Sequence, residues 1–177
     1  MKRKIIITLL VIICFILQTT VFKAISIATI APNLLLIITS SFGFMRGKKE
    51  GLFVGVLCGL FTDIFFSRLF GVYTLIYMYI GYLNGCFKKI FFPEDIKLPI
   101  ILIGASDFVY SISVYVFMFL FRGRLSFVYY LLNIILPELV YTVLISIVIF
   151  RLLLIIDNRL ERSEKRSRRK GAKKVIK

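Results

Sequence analysis

The chain has 177 residues, 59% of them hydrophobic, with a mean hydropathy of +0.93 and a formal net charge of +15. No soluble domain of this size hides so much apolar surface, so the composition leaves a polytopic membrane protein built as one domain. Histidine and tryptophan are absent, and Cys14, Cys58 and Cys86 lie in or beside apolar runs without the spacing of a metal site or the even count of a disulfide framework. That removes the commonest general base and the usual zinc ligand, and no cofactor or metal is expected.

Six spans are expected in chain order, at about Ile5 to Phe22, Ile27 to Met45, Gly51 to Phe66, Val72 to Phe87, Leu98 to Phe121 and Phe127 to Ile156. They form an all-α transmembrane domain over 1–156, followed by a basic tail over 157–177. Gln18-Thr19-Thr20-Val21-Phe22-Lys23 reads as an exit into an interface. A cleaved signal peptide fits the basic start and apolar core but lacks a small-residue cleavage site. The second span has a break point at Pro32. The third and fourth, at about 16 residues, supply only roughly 24 Å of helix and must stand upright or lean on neighbours. The last run exceeds one crossing and contains Pro137, which predicts a kink, a protruding end or a lateral segment.

Basic residues alternate between the connecting segments. Lys2, Arg3 and Lys4 precede the first span, Arg46, Lys48 and Lys49 follow the second, Lys88, Lys89 and Lys97 follow the fourth, and the rest of one side's share runs from Arg151 onward. The other side holds Lys23, Arg68, Arg122 and Arg124. Because Lys and Arg accumulate on the cytoplasmic side, both termini are expected in the cytoplasm.

The third span carries Gly51, Gly55 and Gly59 four residues apart, and the same step lands on Asp63. Small residues let helix backbones approach closely in lipid, where hydrophobicity drives association little. The stripe therefore marks a packing face, to which Gly71, Gly81 and Gly85 contribute from the following turn and span. Asp63 then points into the bundle near the outer end of its helix. There it either caps the turn through Ser67 to Gly71, with Arg68 as another partner, or serves as a proton or ligand site.

Two further acids, Asp107 and Glu138, fall about nine to eleven residues into the fifth and sixth spans, roughly 14 to 17 Å deep at 1.5 Å per residue. A bare charge there costs a few kcal/mol, so both should face the interior and be protonated or hydrogen-bonded. Ser106, Tyr110, Ser111, Asn133 and Tyr141 are candidate partners. Each acid is satisfied separately, or the two share a contact that links the last two helices. The tail carries Arg166, Arg168, Arg169 and Lys170 among its bases. It reads as a solvated segment obeying the positive-inside rule, with added attraction to anionic lipid of about 1 kcal/mol per base near the surface.

Several stretches match a known pattern. Gly55-x-x-x-Gly59-x-x-x-Asp63, followed by a short loop, Gly71 and a span ending Gly81-Tyr82-Leu83, resembles the core of the MreD family of bacterial rod shape-determining membrane proteins. Ile16-Leu17-Gln18-Thr19-Thr20-Val21-Phe22 resembles the glutamine-bearing end of that family's first span, and Ala31-Pro32-Asn33-Leu34-Leu35-Leu36 its entry to the second. Phe65-Phe66-Ser67-Arg68 departs from the family's small, serine- and glycine-rich turn.

The resemblance implies a non-enzymatic scaffold in the bacterial cytoplasmic membrane that binds a bitopic MreC-like partner. Its setting would be the side-wall peptidoglycan machinery, alongside RodA, a class B penicillin-binding protein and MreB. It also implies a six-helix bundle similar to the substrate-binding subunits of energy-coupling-factor transporters. A vitamin-carrier subunit of that type is the alternative, against which the first span lacks a small-residue alanine pattern. Scattered Ser and Tyr form no recognisable nucleophile, base and oxyanion set, and the tail's charge is read as facing lipid, not nucleic acid.

Overall fold

A computed structural model describes residues 2–22, 31–67, 70–90, 97–118 and 127–175, with side chains described no further than residue 161. Every regular element among the described residues is helical. Helix α1 spans Lys2–Leu17 and continues as a π-helical turn over Gln18–Phe22. Then come α2, Leu34–Arg46; α3, Lys48–Phe66; α4, Val72–Cys86, which ends in a 3₁₀ turn over Phe87–Ile90; and α5, Lys97–Met118. The last rod is α6, Phe127–Tyr130, a π-helical turn over Leu131–Ile135, and α7, Leu136–Val175.

The pattern of α1 shows why these apolar runs become helices with a lipid face. Ile7, Val11, Cys14 and Phe15 are buried at steps of four, three and one, while Ile5, Leu9, Ile13 and Ile16 on the other faces are equally apolar but exposed. Ile64, Phe65, Leu75, Ile101 and Val148 are likewise more than half exposed, an arrangement suited to hydrocarbon and not to water. Among the described residues, three segments are long and apolar enough to cross a membrane: Arg3–Thr20, Lys97–Phe117 and Phe127–Glu161.

The second expected span differs most from its sequence reading. Its helix starts at Leu34, not near residue 27, because Pro32 disfavours helix at the residue before it and Asn33 takes the N-cap position. At 13 residues α2 rises only about 20 Å. The first part of that expected span lies outside the described residues. Leu34 through Met45 are all buried, so α2 is the axis of the bundle. A single residue, Gly47, joins it to α3. Its φ of 97° belongs to the left-handed region that glycine tolerates, and its N–H returns to the Gly43 carbonyl at 2.6 Å while its own carbonyl accepts from Gly51 N–H at 3.0 Å.

Helices α3 and α4 are antiparallel and pack through their glycines. A methyl group on Gly51 would strike the Gly81 carbonyl oxygen, one on Gly55 the Tyr77 carbonyl oxygen, and one on Gly59 the Thr74 Cα. From the other side, a methyl on Gly81 would strike the Gly51 carbonyl, and one on Gly85 the Lys48 backbone. These obstacles are backbone atoms, which no rotamer change can move. Gly71 serves differently: its surroundings are open, and its φ of 100° turns the chain into α4.

The last rod resolves the expected distortion at Pro137 as a π-helical turn just before it. Proline lacks an N–H and clashes with the carbonyl four residues back; here Leu136 N–H bonds five residues back, to Leu131 O, which shifts the register. Beyond it α7 runs unbroken through the boundary between 156 and 157 as far as Val175. Lys23, Arg68, Arg122 and Arg124, and the side chains of Arg166, Arg168, Arg169 and Lys170, lie outside the described residues.

Replacing Gly55 or Gly59 by Leu forces α3 and α4 apart, and the cost should reach or exceed the upper end of the about 1 to 3 kcal/mol typical of overpacking. The expected outcome is a several-fold fall in membrane accumulation, measured by in-gel fluorescence of a tagged chain. Leu at Ile64, which faces outward, should leave the level unchanged.

Candidate functional site

Inside a bundle that faces hydrocarbon, each polar group must find its partner within the protein, since an unsatisfied backbone group costs several kcal/mol. Asp63 is 2% exposed and lies across the start of α4. Its Oδ1 accepts from Tyr73 N–H at 3.2 Å, and its Oδ2 accepts from Thr74 N–H at 2.8 Å and the Thr74 hydroxyl at 2.5 Å. Gly71, at the N-cap of α4, has no side chain to do this. A carboxylate on α3 therefore supplies the cap that α4 lacks, where the helix dipole also favours negative charge. The acceptor serves the first turn of α4, just past the Ser67 to Gly71 turn expected from the sequence. Ser67 N–H also donates to the Asp63 backbone carbonyl at 3.2 Å, and Arg68 lies outside the described residues.

The start of α2 is capped by three elements at once. Leu36 N–H donates to Asn33 Oδ1 at 3.1 Å, Leu35 N–H to Gln18 Oε1 at 3.1 Å, and Leu34 N–H to the Pro32 carbonyl at 3.2 Å. Asn33 is held in turn: its N–H donates to Thr142 Oγ1 of α7 at 3.2 Å, and its Oδ1 accepts from the Tyr77 hydroxyl of α4 at 2.8 Å. Gln18 can reach because α1 loosens into a π turn there, with the Thr19 hydroxyl donating back to Phe15 O at 3.0 Å and Thr20 to Ile16 O at 2.5 Å.

One layer further along, Asn84 Nδ2 donates to Ser106 Oγ at 2.7 Å and Ser40 Oγ at 3.4 Å, which ties α4 to α5 and α2. At the far end of α2, Arg46 Nε meets Asp157 Oδ1 at 2.7 Å, and Lys88 Nζ donates to the Arg46 carbonyl at 2.9 Å. Arg3 pairs with Glu50 between α1 and α3.

The two deep acids are arranged differently. Asp107 is fully buried, yet neither carboxyl oxygen has a hydrogen-bond partner; Ser111, one turn on along α5 and 4% exposed, is unpartnered too. The Thr142 hydroxyl and the Glu138 carboxyl, both on α7, lie within electrostatic reach of Asp107 on α5. Glu138 also lies within electrostatic reach of Tyr73, Tyr110 and Tyr130. Among the described residues no group of three or more His, Cys, Asp or Glu converges.

The family model for rod shape-determining protein MreD matches residues 2–156. The chain belongs to the MreD family. No curated protein and no solved structure matches it.

The three stretches that resemble the MreD family meet in one structural task, because Gln18 and Asn33 cap α2 and Asp63 caps α4. Sequence reading paired none of these with its partner. It also missed Thr142, Tyr77 and Asn84. Thr142 had a visible signal, being one helical turn from Glu138 on the same face. Asn84 had another, as an amide alone in an apolar span. Of the partners expected for the acids, Ser106 is engaged by Asn84, and Asn133 Nδ2 donates to Tyr129 O at 3.1 Å in its own helix.

Asp63→Ala removes the side-chain acceptor of Tyr73 N–H and Thr74 N–H at the start of α4, and stability should fall by about 1 to 2 kcal/mol, the scale of a lost N-cap. Asp63→Asn keeps one carbonyl acceptor and should recover part of that. Thermal unfolding of the two variants in the same detergent measures the difference, and equal midpoints would contradict the cap.

Proposed function

We propose that this rod shape-determining family member works as a non-enzymatic scaffold, binding a bitopic MreC-like protein in the cytoplasmic membrane with both of its own termini inside. Membership of the MreD family over nearly the whole transmembrane part carries this reading. The use of its polar residues supports it: Gln18, Asn33, Asp63 and Asn84 are all spent on holding helices together, not on converging at a reacting centre. RodA, a class B penicillin-binding protein and MreB are the further partners this role entails in side-wall peptidoglycan synthesis. The fold is proposed to be of the type found in energy-coupling-factor substrate-binding subunits.

The deciding experiment is mild detergent extraction from the native membrane and pull-down of the tagged chain. A stable complex with an MreC-like bitopic protein is the expected outcome. Recovery of ATPase subunits in its place would overturn the scaffold in favour of transport.

The tail from Asp157 is proposed to lie along anionic lipid. It continues α7 as helix, and its bases can approach a negative leaflet at about 1 kcal/mol each. Flotation of the tail peptide with vesicles should rise with the fraction of phosphatidylglycerol and fall between about 0.1 and 0.5 M salt, a range that shortens the Debye length roughly twofold. Binding indifferent to lipid charge would refute the contact.

A further inference from the structure

Helices α5 and α7 face each other with matched pairs of oxygen-bearing side chains. On α5 these are Asp107 and Ser111, four residues apart; on α7, Glu138 and Thr142, also four apart. Residues at this spacing share one helix face. The helices are antiparallel, since Gly104 abuts Val143, with its Cβ position 3.2 Å from Val143 Cγ2, while Asp107, further along α5, lies within electrostatic reach of Thr142 and Glu138, earlier on α7. In an antiparallel pair, a four-residue step along each helix sets Ser111 toward the level of Glu138 when Asp107 is near Thr142.

The contrast with the other buried polar groups carries the inference. Asn33, Asp63 and Asn84 are bonded to the chain itself, whereas Asp107 at 0% exposure and Ser111 at 4% have no partner. Among the described residues no Lys or Arg pairs with either acid; ion pairs at the helix ends join Arg3 to Glu50 and Arg46 to Asp157. The Thr142 oxygen accepts from Asn33 N–H at 3.2 Å, which fixes its position and leaves a lone pair free.

We propose that Asp107, Ser111, Glu138 and Thr142 form a binding site for a hard metal cation between α5 and α7. Carboxylate and hydroxyl oxygens are the ligands such ions select, and this set offers up to six, the lower end of the roughly six to eight that calcium takes. Two carboxylates neutralise a divalent ion, and neutrality is what a site inside hydrocarbon requires, so charge balance favours calcium-like ions over sodium. Bound there, the ion joins the last rod to α5 as firmly as the caps join α2 to its neighbours. The inference is independent of which protein the scaffold binds.

The test uses the full-length protein, extracted and purified with a chelator and then exchanged into choline chloride. Calcium, magnesium, sodium or potassium chloride is titrated in at constant ionic strength while the thermal unfolding midpoint is followed. A saturable rise of several degrees with at least one of these ions is expected. Ser111→Ala, which removes one neutral ligand, should raise the half-saturating concentration about tenfold, and Asp107→Asn should abolish the response. If Asp107→Asn does not accumulate, Ser111→Ala decides. No response to any of the four ions overturns the site, and so does a response of unchanged half-saturation in Ser111→Ala, which would mark an adventitious ion only.

Discussion

The beginning of α2 is the constraint on which the rest of this architecture turns. A helix N-terminus leaves backbone N–H groups without intrahelical partners, and water normally takes them. Here every residue from Leu34 to Met45 is buried, so α2 has no solvent-facing side and its first turn must be served by other parts of the chain. Gln18 from the end of α1, Asn33 from the approach to α2, Thr142 from α7 and Tyr77 from α4 all converge there. Each of these interactions fixes the height of one neighbouring helix relative to α2.

The opposite end of α2 repeats the arrangement with charge. Arg46 is held by Asp157 of α7 and its carbonyl by Lys88 beyond α4. Thr142 and Asp157 are thus the two points where α7 grips α2, and the fifteen residues between them rise roughly 22 Å, against about 20 Å for α2 itself. Phe44 and Phe150 stack between the two grips with centroids 5.8 Å apart. Helix α4 matches α2 in the same way, through Tyr77, Asn84 and Lys88 in order along its length. With α2, α4 and α7 parallel and fixed at both ends, α1, α3 and α5 run the other way, and the glycine faces of α3 and α4 can close to backbone contact.

This distribution explains what could be read from sequence. The helical class, the approximate spans and the packing face of α3 follow from hydropathy and from a four-residue step of glycines, signals written along one segment. The start of α2 was not legible in the same way, because hydropathy gives no boundary near Pro32 and Asn33 while the helix begins at Leu34. Nor were the partners of Gln18, Asn33 and Asp63, since each bond joins residues whose proximity depends on tertiary packing, as between Asn33 and Thr142. Asp63 illustrates the division: its inward direction follows from the stripe, but its acceptor role at Tyr73 and Thr74 depends on how α4 is set against α3.

A bundle that has satisfied its helix ends so fully makes its exceptions informative. Packing in hydrocarbon gives a chain little reason to retain polar atoms beyond those that cap helices or cross-link them, because each unpaired one destabilises the folded state. Gln18, Asn33, Asp63 and Asn84 meet that standard. Asp107 and Ser111 do not, and Asp107 lies within electrostatic reach of a second acid on the last rod. Helix α5 is also without the glycine contact that joins α3 to α4 backbone to backbone, since a methyl on Gly104 would meet only the end of the Val143 side chain. Unspent polar capacity therefore coincides with a helix that has no glycine-to-backbone contact. A group supplied from outside the chain would act most strongly at that junction, where it would add a link the sequence itself does not complete.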